Sequence, residues 1–345
     1  MLPAISRTRA VLALTAALLA PGLVHAQAVT PIKFVLDWKL QGLHAWYYVA
    51  QDKGYFAQEK IDLTIDQGDG SATAVTKVMS GTYQASFGDV NAIIQAAATR
   101  PEIAPVMVYM IYNQAPYAII TKAGSSIRTF KDLEGKTLGS PAGGASLKMF
   151  PVLAEKNGFD AKKVNVLNMA PNLQEQMLLQ GQVDASAVFT VTSYMNLAAQ
   201  RIDPDKDIRW MSYADGGIDL YGNGVMVSRQ LLKEKPQVVA GLVRAINKGM
   251  RDTIADPDAA IEALAKREPL INKAMEKERL MYALRTVVLT PEAQQIGVGD
   301  VKDDRFARSI DQVAQGFEMK TKPLAKDIFD RSILPPLAER QFKLK

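Results

Sequence analysis

The sequence predicts an α/β protein of two lobes, the second inserted in the first, with a helical C-terminal tail packed on the first lobe. Three observations predict it. Short β-branched runs alternate with helical segments from Lys33 to about Ser212, the alternation restarts after Gln114-Ala115-Pro116, and beyond about Gly224 the periodicity is helical throughout.

In the first lobe, strands are expected near Lys33–Asp37, Lys60–Asp66, Gln84–Phe87 and Ala104–Tyr112, with helices near Leu43–Gln58, Ser71–Ser80 and Asp89–Ala98 between them. The second lobe reads as strands near Tyr117–Thr121, Lys136–Ser140, Val164–Asn168, Ala185–Val188 and Ile208–Ser212. Helices near Ala145–Lys156, Leu173–Gln180 and Val191–Ala199 separate these. One internal echo links the halves: Thr76 to Ser86 is matched by Gln176 to Ser186. Each is an amphipathic helix stopped at a glycine, Gly81 or Gly181, and followed by a buried strand. In the tail, apolar residues at three- and four-residue spacing place helices near Lys235–Ala255, Pro257–Lys266, Ile271–Val287 and Phe306–Met319. The expected division is a signal peptide at residues 1–26, the first part of lobe 1 at 27–115, lobe 2 at 116–223, and the return to lobe 1 with the C-terminal helices at 224–345.

The signal peptide is read from Arg7 and Arg9, the short apolar run from Ala10 to about Val24, and the small residues before a cleavage point after Ala26. These 26 residues hold two arginines and no carboxylate, so the net charge of +5 falls to +3 in the exported chain. Such a mild excess, without a Lys/Arg cluster, points away from nucleic acid as a partner. Cysteine is absent and the exported chain carries one histidine, His44, so disulfides, thiolate chemistry and Cys- or His-rich metal sites are excluded. No metal and no cofactor is expected.

Phosphate-cradling loops are missing. The glycine pairs at Gly68/Gly70, Gly222/Gly224 and Gly297/Gly299 lack the third glycine at the needed spacing. The run Asp203 to Asp207 resembles the start of a calcium loop, but Ile208 takes the place of the turn glycine. Neither a nucleophile elbow nor a His-Glu-x-x-His helix occurs.

The informative positions lie where strands end and helices begin, because ligands of open α/β sheets gather outside the carboxyl ends of strands. Gly143, Gly144, Ala145 and Ser146 open a helix after the Lys136–Ser140 strand, and free N–H groups at such a start suit an anionic group. Gly70-Ser71 and Gly88-Asp89 form like corners in the first lobe, with Asp89 also suited to capping the next helix. Phe189-Thr190 makes the matching corner after the Ala185–Val188 strand. Between Leu36 and Ala50 lie two of the three tryptophans and His44. From this patch Trp38 and His44 are expected to stack on and hydrogen-bond a ring, while Trp46 and Tyr47 pack the core.

Leu36-Asp37-Trp38, His44 seven residues after Asp37, Tyr48-Val49-Ala50 and Gly54-Tyr55-Phe56 resemble the pyrimidine-binding members of the type 2 periplasmic binding proteins. Gly88-Asp89, the Phe130 to Lys136 run and Gly181 followed by Asp184-Ala185 are similar to the wider nitrate/sulfonate/taurine and thiamine-pyrimidine branch, and the matches span about residues 33 to 230. The resemblance implies two Rossmann-like lobes closing on a small molecule and an inner-membrane ABC permease as recipient. It places Trp38 and His44 on the first-lobe wall, with the anion corner at Gly143 to Ser146. Two departures stand out: Phe189-Thr190-Val191-Thr192 lies where pyrimidine-binding members have an acidic residue, and the cysteine-rich motif of the synthases is missing. The expectation is therefore a monomeric periplasmic solute-binding component without enzymatic activity, taking a small ring-bearing or anionic organic solute. Two further readings fit the same residues, a synthase-like enzyme using His44 and a ligand-sensing subunit.

Overall fold

A computed structural model describes Met1 and residues 28–344. The signal peptide expected at residues 1–26 thus lies outside the described residues, Met1 apart. Among the described residues ten strands build the fold: β1 Thr30–Val35, β2 Ile61–Asp66, β3 Ala85–Asp89, β4 Val106–Met110, β5 Tyr117–Lys122, β6 Thr137–Ser140, β7 Asn165–Asn168, β8 Ala185–Phe189, β9 Ile208–Ser212 and β10 Asn223–Val227. They form two five-stranded sheets, ordered β2-β1-β3-β10-β4 and β7-β6-β8-β5-β9. Each sheet has three parallel strands at one end, with β10 or β5 running antiparallel between the third strand and the last.

The chain passes between the sheets twice, at residues 111–116 and 213–222. The second passage delivers β10 back into the first sheet, where sequence periodicity alone placed only helix. Three residues, Val225-Met226-Val227, carry the whole strand signal, and all five residues of β10 are buried. A strand covered on both faces shows no alternation, which is why so short a run is unreadable in isolation. The two echoing segments, Thr76 to Ser86 and Gln176 to Ser186, occupy corresponding places, each leading into the third strand of its sheet.

Two expected helices are divided. The first breaks after Asp52, where Gly54 takes a left-handed conformation (φ 69°) before a short second turn at Tyr55–Gln58. The other breaks at Met149, ahead of Phe150-Pro151, as proline at the second position of a new helix allows.

The first core gathers Phe34, Trp46, Tyr47, Phe87 and Val225 under the long Pro236–Ala255 helix. Trp46 and Tyr47 are completely buried. A second core is continuous across both lobes: Val90 and Ile93 from the first, Leu138 and Phe150 from the second, and Phe306 and Ile310 of the Asp303–Gly316 helix share it. The tail therefore packs on the first lobe and also reaches the second. Among the described residues no helix is long and apolar enough to cross a membrane.

Candidate functional site

Between the lobes lies a cavity whose walls come from strand ends and helix starts of both sheets. The first lobe contributes Asp37, Trp38, Gln41 and Leu43 from the loop after β1, with Ser71 and Tyr112. The second contributes the turn after β6, including Ser140, Ala145 and Ser146, then Gln174, and finally the end of β8 with Phe189, Thr192 and Ser193. The void between them measures about 30 Å³, room for a water molecule or two and not for a ring. In this closed form the lobes must part before a ring-sized solute can enter.

The apolar part of the wall is Trp38, Leu43, Phe189 and Val191. Asp37 apart, the polar part is made of uncharged donors and acceptors, and that residue is the single carboxylate among the lining residues, which include no lysine, arginine or histidine. Its carboxylate is held by two neighbours outside the cavity wall, with Oδ1 2.8 Å from His44 Nε2 and Oδ2 accepting from Asn223 Nδ2 at 2.8 Å. His44 Nδ1 in turn accepts from the Gln41 backbone N–H at 3.1 Å, so the two bonds together demand the tautomer with its proton on Nε2.

Helix starts opening on the cavity lack side-chain caps. The Ser71–Met79 helix begins after Gly70, Ala145–Lys148 after Gly144, and Thr190–Ala199 after Phe189, none with a side-chain acceptor at the cap. Ser140, at the end of β6, and Ser146, inside the second of these helices, donate to the β8 carbonyls of Ala187 (3.0 Å) and Val188 (2.6 Å). Some N–H groups of these first turns are engaged inside the protein, Ala72 by the Gly143 carbonyl and Thr190 by the Pro116 carbonyl.

Of the residues singled out from sequence, Trp38, Ser71, Gly144, Ala145, Ser146 and Phe189 meet at this cavity. His44 does not reach its wall: it is fully buried behind Asp37, both ring nitrogens engaged. Gly70 and Gly143 instead form the seam between the lobes, where the Ala72 N–H donates to the Gly143 carbonyl at 3.2 Å. A Cβ on Gly143 would stand 1.9 Å from Thr73 Oγ1, so only glycine lets the lobes approach this closely. Gly88 is interior to β3, opposite Gly224. Asp89 caps the next helix through Asn91 and takes the Tyr117 hydroxyl at 2.7 Å, buried and away from the cavity, and burial raises its carboxyl to about 6. Thr190 starts its helix outside the cavity wall, its N–H held by the Pro116 carbonyl.

Sequence reasoning missed Gln41, Tyr112, Gln174, Thr192 and Ser193. Gln174 had a signal, since it opens the helix that follows β7. Tyr112 had none, because it sits on a passage between lobes.

Beside the cavity the lobes are tied by a buried ion pair. Arg279, 1% exposed on the Lys273–Ala283 helix, bonds Glu276 at 3.0 Å and crosses to the Thr192 carbonyl (2.6 Å) and Asn196 Oδ1 (2.9 Å) of the Thr190–Ala199 helix. Glu276 also accepts the Gly42 N–H at 2.6 Å, and Tyr282 stacks on Tyr194 with ring centroids 5.0 Å apart. Nearby Glu175, bonded to Ser193 at 2.5 Å, has its carboxyl pushed up by burial.

The model of the family described as "NMT1/THI5 like" matches residues 41–260. The chain is 27% identical over 221 residues to the riboflavin-binding protein RibY of Chloroflexus aurantiacus, covering 63% of this chain and 60% of that protein's length. It is 24% identical to the formylaminopyrimidine-binding protein of Halalkalibacterium halodurans, over 75% of this chain and 78% of the relative. Among solved structures, the alkanesulfonate-binding protein SsuA of Xanthomonas axonopodis pv. citri bound to MOPS superposes with a TM-score of 0.66 at 17% identity, over 89% of this chain and all of that one. It shows the fold, that of the periplasmic binding proteins.

One expectation is corrected. The sequence reading excluded enzymatic activity, yet the chain is also 23% identical, over 69% of its length and 74% of the relative's, to the 4-amino-5-hydroxymethyl-2-methylpyrimidine phosphate synthase of Legionella pneumophila. Relatives of this chain thus include proteins named as enzymes as well as proteins named as binders, and the missing cysteines give no ground for the exclusion. With the family model covering well over half of its residues, the chain belongs to the NMT1/THI5-like family.

Proposed function

We propose that this chain is the solute-binding component of an ABC importer, exported to the periplasm and taking a small ring-bearing or anionic organic solute between its lobes. The observation that carries this reading is the interlobe cavity, in which Trp38 and Phe189 supply flat apolar walls and Gln41, Ser71, Thr192 and Ser193 supply polar groups. Relatives named for binding riboflavin and formylaminopyrimidine support a ring-bearing solute, and the sulfonate-binding neighbour supports the importer role. In this reading residues 27–115 and 224–345 form one lobe, residues 116–223 form the other, and the two passages between the sheets act as the hinge. Gln41, Ser71, Thr192 and Ser193 orient the solute.

Thermal unfolding of the purified protein with riboflavin, formylaminopyrimidine and MOPS tests it. At least one is expected to raise the unfolding temperature in proportion to the logarithm of its concentration. No stabilisation by any of the three contradicts the reading. Export is checked by the mature N-terminus, expected at Gln27.

The synthase relatives favour a second reading, an enzyme of the same fold. It predicts turnover, or a change in protein mass, in intact-protein mass spectrometry.

A further inference from the structure

Tyr112 is fixed from all sides and yet has one group to spare. Its N–H donates to the Asn223 carbonyl at 2.7 Å and its carbonyl accepts the Gly222 N–H at 2.9 Å, so the two passages between the lobes clamp its backbone. Its ring stands edge-on to Phe87, centroids 5.2 Å apart and planes at 89°. The residue is completely buried, lines the cavity, and its hydroxyl has no hydrogen-bond partner. Among the described residues that line the cavity, no other has a buried polar side-chain atom left without one.

A buried hydroxyl without a partner destabilises the protein that keeps it, and phenylalanine would fill the same space without that cost. Neighbouring Asp37 does not satisfy it: its carboxylate oxygens are bonded to His44 and Asn223, and the Tyr112 hydroxyl makes no bond to either. Burial first, and the Asp37 charge second, push the phenol well above its ordinary range, so it is a donor at any working pH. The charge also selects what can approach. An anionic group beside Tyr112 would meet the Asp37 carboxylate, whose influence at this position exceeds that of Arg279 behind the wall, with no lysine or arginine among the lining residues to offset it. A neutral acceptor meets no such opposition.

We propose that the Tyr112 hydroxyl is the specificity-determining donor of the cavity, and that the solute presents to it an uncharged acceptor, a carbonyl oxygen or ring nitrogen, on a flat ring. This rests on the solute-binding reading and decides between its two solute classes in favour of the uncharged ring.

The test is Tyr112→Phe in the full chain, with thermal unfolding measured without solute and titrations with riboflavin, formylaminopyrimidine and MOPS. Without solute the variant is expected to unfold at the wild-type temperature or above it, since the hydroxyl makes no bond in the protein. With riboflavin or formylaminopyrimidine its Kd is expected to rise about tenfold or more, while MOPS binds neither protein tightly. A lower unfolding temperature for the solute-free variant overturns the inference, because the hydroxyl would then have a structural partner. So does a Kd equal to wild type for a ring solute, or tight MOPS binding by wild type. If none of the three solutes stabilises wild type, the binding reading itself fails, an outcome distinct from equal binding by the two proteins.

Discussion

Replacing Arg279 by methionine tests how the lobes are held together. The substitution keeps most of the side-chain volume but removes the positive charge from a site where the arginine is 1% exposed and Glu276 is 5% exposed. Glu276 is then left buried with the Gly42 N–H as its remaining partner, and the Thr192 carbonyl and Asn196 Oδ1 lose their donor. Removing one member of a buried pair costs about 3–5 kcal/mol, because the survivor is an uncompensated charge. Each lost hydrogen bond adds roughly 1 kcal/mol. Against a total of about 5–15 kcal/mol for a domain, the urea midpoint at pH 7 is expected to fall by a third or more. The double variant Glu276→Gln/Arg279→Met removes both charges and is expected to recover more than half of the loss. The deficit also has a sign with pH. Burial already raises Glu175, and loss of the Arg279 field raises it further, so the stability this group provides is present at low pH and lost as pH rises through its folded value. The single variant is therefore expected to be closer to wild type at pH 4 than at pH 8. An unfolding free energy within about 1 kcal/mol of wild type at pH 7 would contradict this, because it would mean that the pair is formed no better than a surface one.

Two further outcomes are expected. Asp89→Asn removes a buried carboxyl raised to about 6, whose contribution is present below the ordinary carboxylate range near 4 and lost as pH rises through 6. The variant's stability relative to wild type is expected to increase between pH 4 and pH 7 by up to about 3 kcal/mol, read from urea unfolding at each pH, and a flat difference contradicts this. Gly143→Ala sets a Cβ 1.9 Å from Thr73 Oγ1 at the seam. It is expected to lower stability by about 1–3 kcal/mol and widen the particle in small-angle scattering, with Thr73→Ala restoring most of both.

How much of this was legible in the sequence depended on whether a feature is local. β1 to β9 were readable to within a few residues, since each is a β-branched or apolar run ending at a turn. β10 was not, because its three apolar residues gain meaning only between β3 and β4. The corners at Ser71, Ala145-Ser146 and Phe189 were readable from the rule that ligands gather where strands hand over to helices. Tyr112 and Thr192 were not, because their place on the cavity wall depends on how two lobes meet, which no local periodicity encodes. His44 attracted notice as the sole histidine of the expected mature chain. Its surroundings make it a support for Asp37, held from both ring nitrogens, and nothing in the residue type alone separates that role from contact with a ligand.

The account's central claim is that the cavity between the lobes holds a small molecule against Trp38 and Phe189. Native mass spectrometry of the freshly purified protein tests it most directly. Wild type is expected to carry a non-covalent adduct of small-molecule mass that is absent from the Trp38→Ala/Phe189→Ala variant, with the protein mass itself unchanged on release. Wild type without an adduct, or an adduct retained in full by the variant, would contradict the account.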